Sequence, residues 1–195
     1  MEGRNDIEKF HWLNHREEIV AFYQKFDSSR YINNLKDMFS SPLNKDYLLA
    51  AENIIKNGLY SIPPYGVMNF HNGIDWSSDS TEKRSFMRLL HGHFLLRDLM
   101  EAFKNTGNSI YLHKGYEMIQ DWIVKNPFED AANAMAWHDE TTARRLINWI
   151  AFFDEARKTF TKDSIVYLFE NIKEHAELLS RKSFYSKNTN HGMFQ

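Results

Sequence analysis

The 195-residue chain carries 24 Lys+Arg against 26 Asp+Glu, so its formal charge of −2 comes from balanced signs, which argues against a basic nucleic-acid footprint. Apolar residues make up 43%, with 15 Phe, 9 Tyr and 5 Trp among them, enough for a sizeable core and against disorder over most of the length. Cysteine is absent, which removes disulfides, thiolate nucleophiles, zinc ribbons and iron–sulfur clusters together.

The N-terminus, Met1 to Asp6, leads straight into charged residues and offers no apolar stretch of signal-peptide length; the compartment stays open. From His15 to Phe39 the spacing of Ile19, Phe22, Tyr23 and Phe26, then Ile32, Leu35, Met38 and Phe39, predicts one broken helix or two. A further helix over Asn44–Asn57 places Tyr47, Leu48, Ala51, Ile54 and Ile55 on one face and stops at Gly58. Between Gly58 and Gly73 lie five of the twelve Gly and Pro residues, which predicts a long loop over about 58–80, with short strands around Tyr60 and Phe70. The longest stretch free of Asp, Glu, Lys and Arg, Asn57–Ile74, is broken by the same residues and cannot span a bilayer, so no membrane partner is expected.

The second half is more regular. Arg88-Leu89-Leu90 opens a helix running to Phe103, and a second follows Asn108 as far as Lys125. Arg145-Leu146-Ile147 opens another through Phe153, and Asp163-Ser164-Ile165 begins a fourth that reaches about Arg181. Asn108 and Asp163 read as N-caps. The matching starts are offset by 57 and 55 residues, the size of a two-helix hairpin, which predicts an all-α fold of stacked α/α hairpin repeats.

Several clusters could carry chemistry. Trp137-His138-Asp139-Glu140 precedes Arg144, Arg145 and Trp149, and this set suits a sugar carboxylate, since Arg binds it bidentately and an indole stacks on a pyranose face. Equally, the acids could balance a helix dipole while Trp149 belongs to the core. His91-Gly92-His93 has i, i+2 spacing, which points to different helix faces, so a structural role is expected and no metal is implied. Asp139-Glu140 and Asp154-Glu155 are adjacent pairs that diverge in direction, unlike the facing carboxylates of glycoside hydrolysis. Trp76 either lines a cleft or anchors its loop. Asn190-His191-Gly192 places an amide and an imidazole together at the entrance to another apolar stretch; such a run also serves as a turn and cap.

Taken in order, these residues resemble the N-terminal helical domain of the heparinase II/III type of polysaccharide lyases, the group that includes oligoalginate lyases. The matching pieces are Asn72-Gly73-Ile74-Asp75-Trp76, Leu89-Leu90-His91 with Phe94-Leu95-Leu96, Thr106-Gly107-Asn108, Asp121-Trp122-Ile123, Trp137, Arg145, Asn148-Trp149-Ile150 and Asn190-His191-Gly192. The resemblance implies an incomplete (α/α) toroid, a single partial domain over 1–195 with 1–43 as a helical extension within it. It also implies β-elimination at a uronic acid, with an anionic polysaccharide or oligosaccharide as partner and no cofactor. Asn190 would neutralise the uronate carboxylate and His191 would act as base or second carboxylate contact, while Arg145, Trp137, His138 and Trp76 become substrate-cleft candidates.

Family members supply the acid from a tyrosine in helices that follow the Asn-His motif, and close the cleft with a β-sandwich. This sequence ends at Gln195, so it is expected to be a front portion, inactive or nearly so alone, for want of an acid/base contribution of about 10²–10⁴. An open toroid also leaves a helix face uncovered, and self-association through it is expected. The alternative reading is a non-catalytic α-helical domain that binds a glycan or a protein.

Overall fold

The computed structural model describes residues 16–28, 41–77, 84–131 and 133–184. Over these the protein is all-α, with seven helices and one small hairpin: α1 (Arg16–Lys25), α2 (Tyr47–Asn57), β1 (Leu59–Ile62), β2 (Gly66–Asn69), α3 (Arg84–His91), α4 (Leu95–Thr106), α5 (Ile110–Lys125), α6 (Asp139–Ala156) and α7 (Lys162–Leu179). No helix among the described residues is long and apolar enough to cross a membrane.

Helix α2 starts where the Asp46 carboxylate accepts from Leu49 N at 3.1 Å, satisfying a first-turn amide. It stops at Gly58, whose left-handed φ of 60° turns the chain out of the helix. A side chain there would also strike the His71 backbone at 2.7 Å. The loop expected over about 58–80 then holds an antiparallel hairpin, registered from Leu59 opposite Asn69 to Ile62 opposite Gly66. Tyr60 and Ile62 alternate inward against the core, the period-2 pattern of a half-buried strand.

The stretch read from sequence as one helix from Arg88 to Phe103 is two helices, divided by a turn at Gly92-His93-Phe94. The reason is backbone geometry: His93 has φ of 55°, which an α-helix of L-residues cannot propagate. Asn108 is not the cap of α5, which is Ser109; it stands one residue earlier, its Oδ1 accepting from Ile110 N at 3.1 Å. Asp163 does not cap α7. Thr161 does, its hydroxyl accepting from Ser164 N at 3.4 Å, which leaves Asp163 in the first turn.

Helices α4 and α5 pack as one α/α hairpin and α6 with α7 as a second, with α4 lying against α6 between them. At Gly115 of α5 a Cβ would sit 2.6 Å from the Phe152 ring and 3.0 Å from Leu96, so the glycine lets both side chains into the core. Trp122 and Trp149 are fully buried there, each contributing about 2–3 kcal/mol by removal from water. Helix α1 docks on α7, and Arg157 fixes its end by donating to the carbonyls of Tyr23 and Phe26, the latter at 2.8 Å.

A second polar anchor holds the front of the molecule. Asp98 of α4 is buried and accepts from Leu43 N at 2.7 Å, Asn44 Nδ2 at 2.6 Å and the Tyr60 hydroxyl at 2.8 Å. Burial raises its pKa, and the donated hydrogen bonds oppose that rise.

Candidate functional site

The region between α3, α5, α6 and α7 is organised by one face of α6. Arg145, Asn148 and Trp149 have i, i+3, i+4 spacing and therefore point the same way. Each grips one residue at the end of α3 or in the turn that follows it. Arg145 Nη1 donates to His91 O at 3.1 Å, Asn148 Nδ2 to Gly92 O at 2.7 Å, and Trp149 Nε1 to His93 Nδ1 at 2.9 Å.

Arg145 is fully buried, and among the described residues no carboxylate is in ion-pair contact with it. Its charge is held by dipoles and π faces instead. The guanidinium lies 3.8 Å from the Trp122 ring centre and 5.0 Å from that of Trp137. Its other donors reach Ala136 O at 2.6 Å and His175 Nε2 at 3.2 Å. Burial pushes its pKa well below the usual arginine value.

Three buried histidines serve as acceptors around it. His91 Nδ1 accepts from Trp122 Nε1 at 3.0 Å, which leaves the Nε2 hydrogen to be donated to Trp76 O at 3.2 Å. His175 accepts at Nε2 from Arg145, so its Nδ1 donates to Asn171 O at 2.8 Å. These partners assign the tautomers and require neutral rings. Burial first, and the Arg145 charge second, lower all three pKa values, to about 4 for His91 and well below the ordinary value for His93 and His175.

Three of the sequence-derived candidates, Trp76, Trp137 and Arg145, come together in this knot. Arg145 has no free surface and Trp76 is 3% exposed, its Nε1 donating to Asp121 Oδ2 at 2.7 Å, so both are held by protein groups inside the chain and do not line an open cleft here. Adjacent helical residues differ by about 100° in direction, and Arg144 is the one that faces outward. Trp137 is half-buried, donates to Asn126 O at 3.0 Å and meets Phe128 edge-on at 5.2 Å. Phe128 is 48% exposed and lies 6.3 Å from the half-buried Phe184, so the three rings make an aromatic ledge reaching water. His138 sits next to it at the start of α6, its Nδ1 3.0 Å from Asp139 Oδ1. Asn190 and His191 lie outside the described residues.

His91 and His93 have the structural role expected of them, and Trp149 is core. Sequence reasoning missed His175 and Phe128. A signal existed for His175, which occupies a core-facing position with Leu168 and Leu178 on α7; for Phe128, in a turn after Pro127, none did.

With this arrangement in view, comparison with known families is decisive: the heparinase II/III N-terminus model matches residues 6–195. The chain belongs to that family. The heparinase II/III N-terminal domain is thus a polysaccharide-lyase-related unit, and the α6 knot and aromatic ledge are features of this member of it. No curated protein and no solved structure matches the chain.

Proposed function

We propose that this domain forms part of a polysaccharide lyase that cleaves a uronic-acid polymer by β-elimination. The family match over 6–195 carries the reading, and the solvent-reaching ledge of Trp137, Phe128 and Phe184 beside His138 supports it, since aromatic faces stack on sugar rings. The two α/α hairpins would belong to an incomplete toroid spanning 1–195, with 1–43 as an extension and with an uncovered helix face available for self-association.

In β-elimination the C5 proton passes to a base, its electron pair forms the C4–C5 double bond, and the C4–O bond breaks with protonation of the leaving oxygen. The difficulty is negative charge developing on the uronate. A group that neutralises the carboxylate stabilises that charge, which is the role given to Asn190; His191 takes the proton or adds a second carboxylate contact. Trp137 and His138 would meet the sugar, while Trp76 and Arg145 hold the turn and ledge from beneath.

The test is ultraviolet absorbance of unsaturated product when the polypeptide from the whole reading frame is incubated with alginate, heparan sulfate and related glycans. Product is expected with one of them and is expected to vanish in Asn190→Ala. Absence of product on every uronate polymer, or full activity in that variant, overturns the reading.

A further inference from the structure

A group of charges at the junction of α3, α4 and α6 is used neither by the buried knot nor by the proposed chemistry. Arg97 of α4 and Arg144 of α6 converge on Phe94, their guanidinium groups 4.4 Å and 5.9 Å from its ring centre, and Arg88 of α3 joins them through Glu140. Glu140 is the carboxylate in ion-pair contact with them among the described residues, 2.8 Å from Arg144 Nη2 and 3.5 Å from Arg88 Nη2.

Neighbouring acids are engaged elsewhere. Asp98, about 100° round α4 from Arg97, spends its hydrogen bonds on Asn44 and Tyr60, and Asp139 pairs with His138 and the Glu140 amide. Among the described residues, three guanidinium groups against one carboxylate give this group an excess of positive charge in a chain whose net charge is −2. Arg97 feels it: burial, and then the nearby Arg144 charge, bring its pKa down to about 10.

The donors are also in surplus. Arg97 spends Nε on Asn148 Oδ1 at 2.9 Å, which orients its planar fork and leaves the two Nη groups without an acceptor among the described residues. Arg88 Nε is shielded from water and has no acceptor among the described residues either. Arg144 is 41% exposed and Arg88 29%, so the group opens to solvent. The remaining planar N–H donors match the oxygens of a carboxylate or sulfate, and the Phe94 ring underlies the Arg97 and Arg144 guanidinium groups that present them.

We propose that Arg88, Arg97 and Arg144 form an anion subsite that takes a carboxylate or sulfate group of an acidic oligosaccharide. This deepens the functional reading above by giving the uronate polymer a charge-reading contact on the domain surface, but it concerns binding alone and does not require turnover.

The test is calorimetric or fluorescence titration of the 195-residue protein with alginate oligomers, which carry carboxylates only, with heparin oligomers, which add sulfates, and with neutral cello-oligomers. Acidic oligomers should bind and neutral ones should not, the preference for alginate or heparin telling which anion is read. Arg144→Gln and Arg97→Gln should each weaken binding about tenfold, the loss of one charge-assisted hydrogen bond. Arg97→Lys, which keeps charge but loses the fork, should recover part of it. Arg144→Gln breaks no contact in the buried knot, so an unchanged unfolding midpoint separates lost binding from lost fold. Failure of acidic oligomers to bind, equal binding of neutral ones, or wild-type affinity in a triple Gln variant overturns the subsite. Arg-dependent binding with no unsaturated product from the whole reading frame would remove the lyase reading and leave the subsite standing; product formation indifferent to all three arginines would do the reverse.

Discussion

Asn148 accepts a 2.9 Å hydrogen bond from Arg97 Nε while donating at 2.7 Å to the carbonyl of Gly92, so one amide joins a surface arginine to the buried turn between α3 and α4. Asn148→Ala strands the carbonyl and frees the guanidinium. It should cost about 2 kcal/mol, visible as a lower urea midpoint with unchanged m-value. A variant as stable as the parent would show that the amide bridges nothing of consequence.

Gly92 is needed for space. A Cβ there would lie 2.6 Å from the Arg88 carbonyl oxygen and 2.9 Å from the Phe94 ring. Gly92→Ala should therefore destabilise by about 2–3 kcal/mol, through displaced backbone. At Gly107, where φ is 70° and a Cβ would meet nothing, alanine should cost only about 1 kcal/mol of left-handed strain. Thermal unfolding of the two variants side by side distinguishes the causes.

The buried histidines make stability acid-sensitive. Their folded pKa values lie below the ordinary 6.5, at about 4 for His91, so between these limits the unfolded chain binds protons that the folded chain does not. Their contribution is complete above pH 6.5 and is lost as pH falls towards 4. Three such groups give a limiting slope of about 4 kcal/mol per pH unit. Calorimetric unfolding at pH 5.5 in buffers of different ionisation enthalpy should register close to three protons taken up from these rings; uptake near zero would mean that they titrate normally in the fold.

Capping at α7 can be read by comparing neighbours. Thr161→Ala removes the hydroxyl that accepts from Ser164 N and should cost about 1 kcal/mol. Asp163→Ala loses only a favourable charge near the helix start, a few tenths of a kcal/mol at moderate salt. The opposite order would return the cap to Asp163.

How much was legible in the sequence varied with what each residue depends on. Periodicity located α2, α5 and α7, and Gly58 marked a real end, because these signals are local. The break at His93 was not legible, since histidine has no strong bias to left-handed backbone and the turn is held by α6, more than fifty residues away. Helix α6 begins six residues before Arg145, where the sequence showed acids and an indole rather than an apolar stripe. Arg144 and Arg145 carry the same side chain at adjacent positions, and only the helix phase decides that one reaches solvent and the other is enclosed by Trp122, Trp137 and Trp149.

Arg145, with no carboxylate in ion-pair contact among the described residues, has an electrostatic reach that its burial does not cancel. A surface charge is muted by water and mobile ions, whereas a cation in a poorly polarisable interior with no counter-charge sends its field outward through protein. A carboxylate held about 8 Å from the guanidinium, at an effective dielectric of about 20, would gain about 2 kcal/mol. An otherwise slightly acidic protein thereby keeps a constant positive bias behind Trp137, one that added salt weakens far less than it weakens the arginines on the surface.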